Sequence, residues 1–176
     1  HWFGIEHWGV EPDIMVMAKG IANGAPVGAT ITTDEIAHAW KGKTLSTFGG
    51  TPVSMAALCA TQDVLQEESA PANAFARGEE LRAGMIDIQE RHPWVGDVRG
   101  MGLMQAMEIV KDPETKEPDT ERTAALLAAT RDEGLLVGQG GLNGTVIRIG
   151  PSLLITADEI AEGIEKLGRA CDKVGS

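Results

Sequence analysis

The sequence has only two cysteines, and they lie far apart without CxxC spacing. Two isolated cysteines in a chain of this size favour a reducing compartment over a disulfide scaffold. We therefore predict that Cys59 and Cys171 are small core residues and not reactive thiols. The first residues lack the basic and apolar stretches of a signal peptide, so we expect a cytoplasmic location and interpret His1 as an internal cut.

The sequence also lacks long apolar runs and basic clusters. Its longest apolar run, from Met55 to Ala60, is far shorter than the ~18 residues that a membrane-spanning helix needs. A net charge of −11 repels a phosphate backbone, which argues against nucleic acid binding. The histidines show no metal-ligand spacing with one another or with carboxylates, so we predict no metal site.

What remains is the composition of a globular chain, with 43% hydrophobic and 23% charged residues in a length of 176. The first part reads as an α/β segment. Asp13–Met17 and Val27–Thr32 are predicted to be buried strands, left from a larger parallel sheet. A short helix is predicted after Thr33, and a long helix from Pro52 to about Glu68 with one buried face.

The second part reads as a separate α+β unit after a boundary near residue 69. A helix from Ala72 to Arg91 is predicted to end at Pro93. The elements predicted after it are strands 95–99 and 103–110, a helix 120–132, strands 135–137 and 146–149, and a final helix from a Thr156 cap to about Cys171. Gly138–Gly144 lacks the third glycine of a dinucleotide fingerprint and is interpreted as a flexible loop.

Lys19 follows an apolar strand and enters a turn, which is an unusual place for a lysine that only aids solubility. Desolvation at such a strand end disfavours the ammonium form and frees the amine to form a Schiff base with an aldehyde. The alternative is a lysine that extends its stem over apolar surface and keeps its ammonium in water. The residues alone leave both interpretations open.

Two further residues have similar alternatives. Thr47 precedes Phe48-Gly49-Gly50, where a hydroxyl beside open backbone suits a phosphate ligand, although it can equally be a turn threonine. Arg148 lies within the apolar run Val146–Ile149, where a guanidinium needs an anion to compensate it. That anion is either an internal carboxylate or a ligand.

Three sequence blocks resemble, in order, the signature of class III aminotransferases. They are Gly9-Val10-Glu11-Pro12-Asp13-Ile14, then Ala18-Lys19-Gly20 with Asn23-Gly24, then Ser46-Thr47-Phe48-Gly49-Gly50-Thr51-Pro52. The family commonly has asparagine where this sequence has Thr51. Residues 136–149 are most similar to the subgroup of alanine–glyoxylate aminotransferase and its bacterial relatives.

The resemblance implies an enzyme of fold type I that depends on pyridoxal 5'-phosphate (PLP). Lys19 corresponds to the lysine that holds PLP and then moves a proton during catalysis. Thr47 corresponds to the threonine that reaches the PLP phosphate in the neighbouring subunit, which implies a homodimer with shared active sites. Arg148 corresponds to the arginine that binds the substrate carboxylate. The implied substrates are amino acids or ω-amino acids, with keto acids such as pyruvate or glyoxylate.

The resemblance also implies that residues 1–69 end a large PLP-binding domain and that 70–176 form the small C-terminal domain. The family's pyridine-binding aspartate, phosphate loop and stacking aromatic ring correspond to positions upstream of His1. We therefore expect this chain alone to bind PLP poorly, to be inactive and to be weakly stable or aggregate. Some relatives are aminomutases or decarboxylases, and a non-catalytic dimerisation piece is a further alternative.

Overall fold

A computed structural model describes residues 1–175, which form two compact units. The first unit comprises His1–Pro71, and the second begins at Ala72. Both contain helices and strands, which confirms the predicted mixed α/β class.

The first unit begins with a short 3₁₀ helix, Gly4–Trp8, followed by strand β1, Ile14–Ala18. A 3₁₀ turn, Lys19–Ala22, leads to strand β2, Gly28–Thr32. The two strands pair with each other in antiparallel register, with Ile14 opposite Thr32 and Ala18 opposite Gly28.

This pairing corrects two predictions. The strands are antiparallel because the connection between them, residues 19–27, is shorter than the dozen or so residues that a parallel crossover requires. They are not buried either, since Val16 is 75% exposed and Ile31 is 57% exposed. A strand is buried on both faces only where other layers cover its sheet, and the described residues of the first unit do not cover both faces of this sheet.

Two helices complete the first unit. Helix α1, Asp34–Ala39, is capped by the Thr33 hydroxyl, which accepts a hydrogen bond from the Ile36 N–H at 3.5 Å. Helix α2, Pro52–Glu67, begins with proline at its first position, where the missing N–H has no intrahelical partner to lose. Both helices were predicted, but the buried face predicted for α2 is wrong for this chain, since Ser54 is its one buried residue among those described and Val53 is 77% exposed. Cys59 on α2 is exposed, so its prediction as a core residue is wrong.

The second unit is built on a four-stranded antiparallel sheet. In chain order its elements are α3 (Ala70–Arg91), β3 (Val95–Met101), β4 (Met104–Ile109), α4 (Thr120–Asp132), β5 (Gly138–Gly140), β6 (Val146–Ile149) and α5 (Ala157–Gly175). The strand order is β3-β4-β6-β5, which places β5 at one edge.

The hydrophobic core lies within this second unit. Its fully buried members come from every helix and from three strands: Met85, Ile88, Val95, Met107, Ile109, Leu126, Ile147, Leu167 and Cys171. Burial raises the pKa of the Cys171 thiol to about 12, which keeps it protonated and unreactive near neutral pH. The prediction of a core cysteine is confirmed at this position.

The alternation of side chains places a second set of residues on the opposite face of the sheet, where Arg148 is exposed. Met107 and Ile147 are paired and point into the core, whereas Ala106 and Arg148, the next pair along, lie on the outer face. The outer face is therefore the side of the sheet on which polar side chains are available for binding.

One predicted strand is wrong. Residues 135–137 do not form a strand, and the strand is Gly138–Gly140, within the stretch predicted to be a flexible loop. Leu135 and Val137 pack against the core while Leu136 is 86% exposed. The next three residues, Gly138–Gly140, pair with β6, with Gly138 opposite Arg148.

Candidate active site

Lys19 lies at the junction of β1 and the 3₁₀ turn that follows it. Its φ is 56°, in the left-handed region that residues with a side chain rarely adopt. Asn23 ends the turn with a φ of 46°, and its N–H donates a hydrogen bond to the Gly20 carbonyl at 3.2 Å. Such backbone strain is concentrated at functional sites, where the surrounding structure maintains it.

The Lys19 side chain is exposed and has no hydrogen bond or ion pair with any residue from 1 to 175. Residues 1–175 therefore do not bury this side chain, as the interpretation based on desolvation requires. Its amine is nevertheless accessible and is not committed to another residue, which is what Schiff-base formation requires.

Helix α2 supports the turn that carries Lys19. The Gln62 side-chain amide donates a hydrogen bond to the Ile21 carbonyl at 3.1 Å, and Ala22 beside it is 2% exposed. Gln62 was not predicted, because no sequence motif marks an amide whose partner is 41 residues away. The Gln62 hydrogen bond thus attaches helix α2 to the turn that carries Lys19.

Thr47 lies in an exposed loop that precedes α2. Two turns shape this loop, with the Gly49 N–H donating to the Ser46 carbonyl at 3.4 Å and the Thr51 N–H donating to the Phe48 carbonyl at 3.3 Å. The Thr51 hydroxyl donates a second bond to Phe48, at 2.6 Å, so threonine closes this turn where the family commonly has asparagine. The Thr47 hydroxyl makes no hydrogen bond within the described chain.

Gly49 is required by the shape of this loop. A Cβ at that position would lie 2.8 Å from the Ser46 hydroxyl oxygen. The next residue, Gly50, has a φ of 73° and open space around it. The backbone after Thr47 is thus accessible to a ligand, as a phosphate site requires.

Arg148 lies in β6, between Ala106 of β4 and Gly138 of β5. The residue is exposed, and its guanidinium forms no ion pair or hydrogen bond with any residue that the structure describes. The internal carboxylate, one of the two interpretations of its charge, is therefore absent from residues 1–175. Solvent reaches the guanidinium, which leaves it accessible to a ligand.

A second arginine on the same face of the sheet, Arg99, is paired. Arg99 contacts Asp97 and Glu108, each at 2.6 Å, and its hydrogen bonds to both carboxylates raise its pKa further. This group was not predicted, because Glu108 reaches Arg99 only through the pairing of β3 with β4. Arg148 is a diagonal neighbour of Glu108 on this sheet but forms no ion pair with it, so its guanidinium is open to another carboxylate.

The predicted site residues are divided between the two units. Lys19 and Thr47 belong to the first unit, and Arg148 belongs to the second. Among residues 1–175 there is no group of three or more metal-ligating side chains of the His, Cys, Asp or Glu type. Within the same range, none of the helices has the length and apolar character to cross a membrane.

The fold is that of a transaminase over the region it covers. A solved amine transaminase from an uncultivated Pseudomonas species, in its PLP-bound form, superposes with a TM-score of 0.89 and 34% identity. The match covers 98% of this chain and 41% of that chain.

The chain is also similar in sequence to known aminotransferases. The chain is 38% identical to alanine–glyoxylate aminotransferase 2 homolog 2 of Arabidopsis thaliana, over 99% of this chain and 37% of the relative. It is 36% identical to a taurine–pyruvate aminotransferase of Bilophila wadsworthia, over 94% of this chain and 40% of the relative. The chain thus spans about two fifths of the length of these relatives.

A family model described as aminotransferase class-III matches residues 1–171. The chain therefore belongs to the class III aminotransferase family, which confirms the resemblance carried by its three sequence blocks.

Proposed function

We propose that the protein containing this chain is a PLP-dependent aminotransferase. It exchanges an amino group between an amino acid or ω-amino acid and a keto acid such as pyruvate or glyoxylate. The observation that carries the proposal is the strained, unpaired Lys19 at the end of β1, in a chain of the aminotransferase family. The names of the relatives support the acceptors, since one is an alanine–glyoxylate and another a taurine–pyruvate aminotransferase.

The residues present fit PLP at two points. The Lys19 amine is uncommitted and can hold the cofactor aldehyde, and the unpaired Thr47 hydroxyl beside Gly49 and Gly50 can hold the phosphate. PLP, when bound, supplies an electron sink for the charge that develops on the substrate α-carbon. Lys19 Nζ would hold the cofactor and, as a free amine, would accept the proton from the substrate α-carbon and deliver it to the cofactor.

Arg148 selects the substrate in this proposal. Its planar guanidinium donates two parallel N–H bonds to a carboxylate, an arrangement that lysine cannot reproduce. Because Arg148 forms no ion pair with Glu108 or with any other residue from 1 to 175, its charge is available to an amino acid or keto acid. Its exposed position on the outer face of the sheet leaves room for that ligand.

The proposal extends to the domain division, the oligomeric state and the cellular location of the protein. We assign residues 1–69 to the large PLP-binding domain and 70–176 to the small C-terminal domain. The protein is proposed to be a homodimer in which Thr47 reaches the cofactor of the partner subunit. The charge of −11 disfavours nucleic acid as a partner, and two free cysteines favour the cytoplasm.

The cofactor assignment is tested in the complete protein by borohydride reduction and peptide mapping. We expect a phosphopyridoxyl tag on Lys19 and loss of the visible absorption band in Lys19→Ala. Lys43→Ala is the control, since it removes another exposed lysine of the same unit. A tag on any other lysine, or a band retained by Lys19→Ala, contradicts the assignment.

The type of reaction is tested separately by product analysis. With alanine as donor and glyoxylate as acceptor, we expect pyruvate and glycine to appear in equal amounts. Release of carbon dioxide, or isomerisation of the donor without amino transfer, would instead indicate a decarboxylase or an aminomutase.

A further inference from the structure

The Arg148 side chain crosses the edge strand β5 at Gly140. A Cβ built on Gly140 would lie 2.8 Å from Arg148 Cδ and 3.7 Å from its Nη1. Contacts between a Cβ and another carbon are not found at 2.8 Å in proteins, and here the crowded atom lies in the middle of the side chain. The observed position of the guanidinium therefore depends on the absence of a side chain at position 140.

Gly138 on the same strand provides a natural comparison. A Cβ at Gly138 would meet Arg148 Cβ at 3.6 Å, which is an ordinary van der Waals contact. Neither Gly138 nor Gly140 has a positive φ, so alanine fits the backbone at both positions. The two glycines differ only in what an added methyl group meets.

We propose that Gly140 is a positioning residue for Arg148. Its lack of a side chain leaves the space in which the Arg148 guanidinium lies to bind a substrate carboxylate. The inference rests on the proposed function of Arg148. The strand register explains this role. The Arg148 side chain extends along the sheet from residue 148 toward the position of Val146. At that level Gly140 lies on one side, in β5, and Glu108 lies on the other side, in β4.

A side chain at position 140 turns Arg148 away from β5. The other side offers Glu108, a diagonal neighbour within reach of a long side chain on an antiparallel sheet. Glu108 is bound by Arg99 at 2.6 Å, but its carboxylate can accept from a second guanidinium as well. A displaced Arg148 thus binds the Glu108 carboxylate instead of a substrate carboxylate.

The test compares Gly140→Ala with Gly138→Ala and Arg148→Ala in the holoenzyme that contains this chain. The readouts are KM and kcat for L-alanine and the dissociation constant of propionate, a carboxylate that cannot be transaminated. We expect Gly140→Ala to raise KM and the propionate constant about tenfold and to change kcat by less than about twofold. Gly138→Ala should match the unmodified enzyme, and Arg148→Ala should weaken propionate binding by about tenfold or more.

The double variant Gly140→Ala/Arg148→Ala shows whether Gly140 acts through Arg148. We expect it to bind propionate as Arg148→Ala does, with no added loss. If Gly140→Ala alone fails to fold, the double variant should fold, because the only crowded atoms have been removed. A double variant that also fails to fold overturns the inference.

Two results distinguish this inference from the function on which it rests. If Arg148→Ala weakens propionate binding while Gly140→Ala behaves like Gly138→Ala, the role of Gly140 is wrong and that of Arg148 stands. If Arg148→Ala leaves propionate binding unchanged, Arg148 is not the carboxylate ligand, and both assignments fail.

Discussion

At the scale of single residues, Lys19 shows a conflict between stability and function. A left-handed backbone costs a residue with a Cβ about 1–2 kcal/mol, and glycine avoids that cost. A lysine with a φ of 56° is therefore retained for what its side chain does and not for the stability of the turn. The proposed role in PLP binding provides such a reason.

We expect Lys19→Gly to be more stable than Lys19→Ala by about 1 kcal/mol, because glycine relieves the strain while alanine keeps it. Both variants lose the amine, so both should lose the visible band of the holoenzyme. Denaturant unfolding of the complete protein carrying each variant, without cofactor, measures the difference. Equal stabilities would mean that the turn carries no strain at this residue.

From the sequence, only those residues of the candidate site that lie in a recognisable motif could be predicted. Lys19, Thr47 and Arg148 lie in blocks that resemble the family, and their roles remain proposals. Gln62 and Arg99 lie in no such block, and Gly140 lies in a block similar to the subgroup without any role that the resemblance implies. Each of the three acts through a partner brought close by the fold. A sequence shows which groups are present, but not which distant atoms they meet.

At the scale of elements, the helices were predicted better than the strands. Helix α4 has the predicted bounds, and α2 differs by one residue at its end, because caps and periodicity are local signals. Strand β5 was missed because its three residues, Gly-Gln-Gly, have low strand propensity. Its pairing with β6 is a tertiary effect.

Two helical glycines give a matched test of packing. A Cβ on Gly78 of α3 would lie 2.3 Å from the Gly102 backbone, whereas one on Gly163 of α5 meets nothing within 4 Å. We expect Gly78→Ala to destabilise by about 1–3 kcal/mol, since backbone atoms must move. Gly163→Ala should stabilise by about 0.5–1 kcal/mol through helix propensity. Denaturant unfolding measures both, and equal effects would contradict the close approach.

The start of helix α5 gives a pH-dependent prediction. The Thr156 N–H donates to the Glu159 carboxylate at 2.8 Å, and this bond, with a second from the Thr156 hydroxyl, lowers the pKa of Glu159. A lowered pKa in the folded state means that the carboxylate stabilises the protein above its ordinary pKa of 4.5. That contribution is lost as the pH falls through the lowered value.

We therefore expect Glu159→Gln to be less stable than the unmodified chain at pH 7, and the difference to shrink below about pH 4.5. Denaturant unfolding from pH 7 to pH 3 measures the difference. Asp158→Asn is the control, because it removes a charge from the same turn without removing a capping bond. A difference for Glu159→Gln that stays constant with pH would contradict the capping role.

At the scale of the whole molecule, burial is very unequal between the two units. All sixteen members of the buried hydrophobic cluster lie between Leu81 and Cys171. The first unit instead exposes large apolar side chains, among them Trp8 at 65%, Trp40 at 68% and Phe48 at 84%. The sequence predicted buried strands there because it shows how apolar a segment is, and not which surface covers it.

This contrast predicts how the two units behave when separated. A fragment of residues 70–176 keeps α3 whole together with the entire core, so we expect it to be folded and to unfold cooperatively. A fragment of residues 1–71 has too little buried apolar surface to offset its chain entropy, and we expect no cooperative transition. Circular dichroism during thermal and urea unfolding distinguishes the two outcomes.

Leu167→Ala in the 70–176 fragment shows whether its transition reports the core. Leu167 is 1% exposed, so truncation should cost about 2–5 kcal/mol and lower the urea midpoint. An unchanged midpoint would mean that the transition reports something other than this packing. A cooperative transition in residues 1–71 would contradict the unequal burial, since a two-stranded sheet with exposed faces is not stable by itself in water.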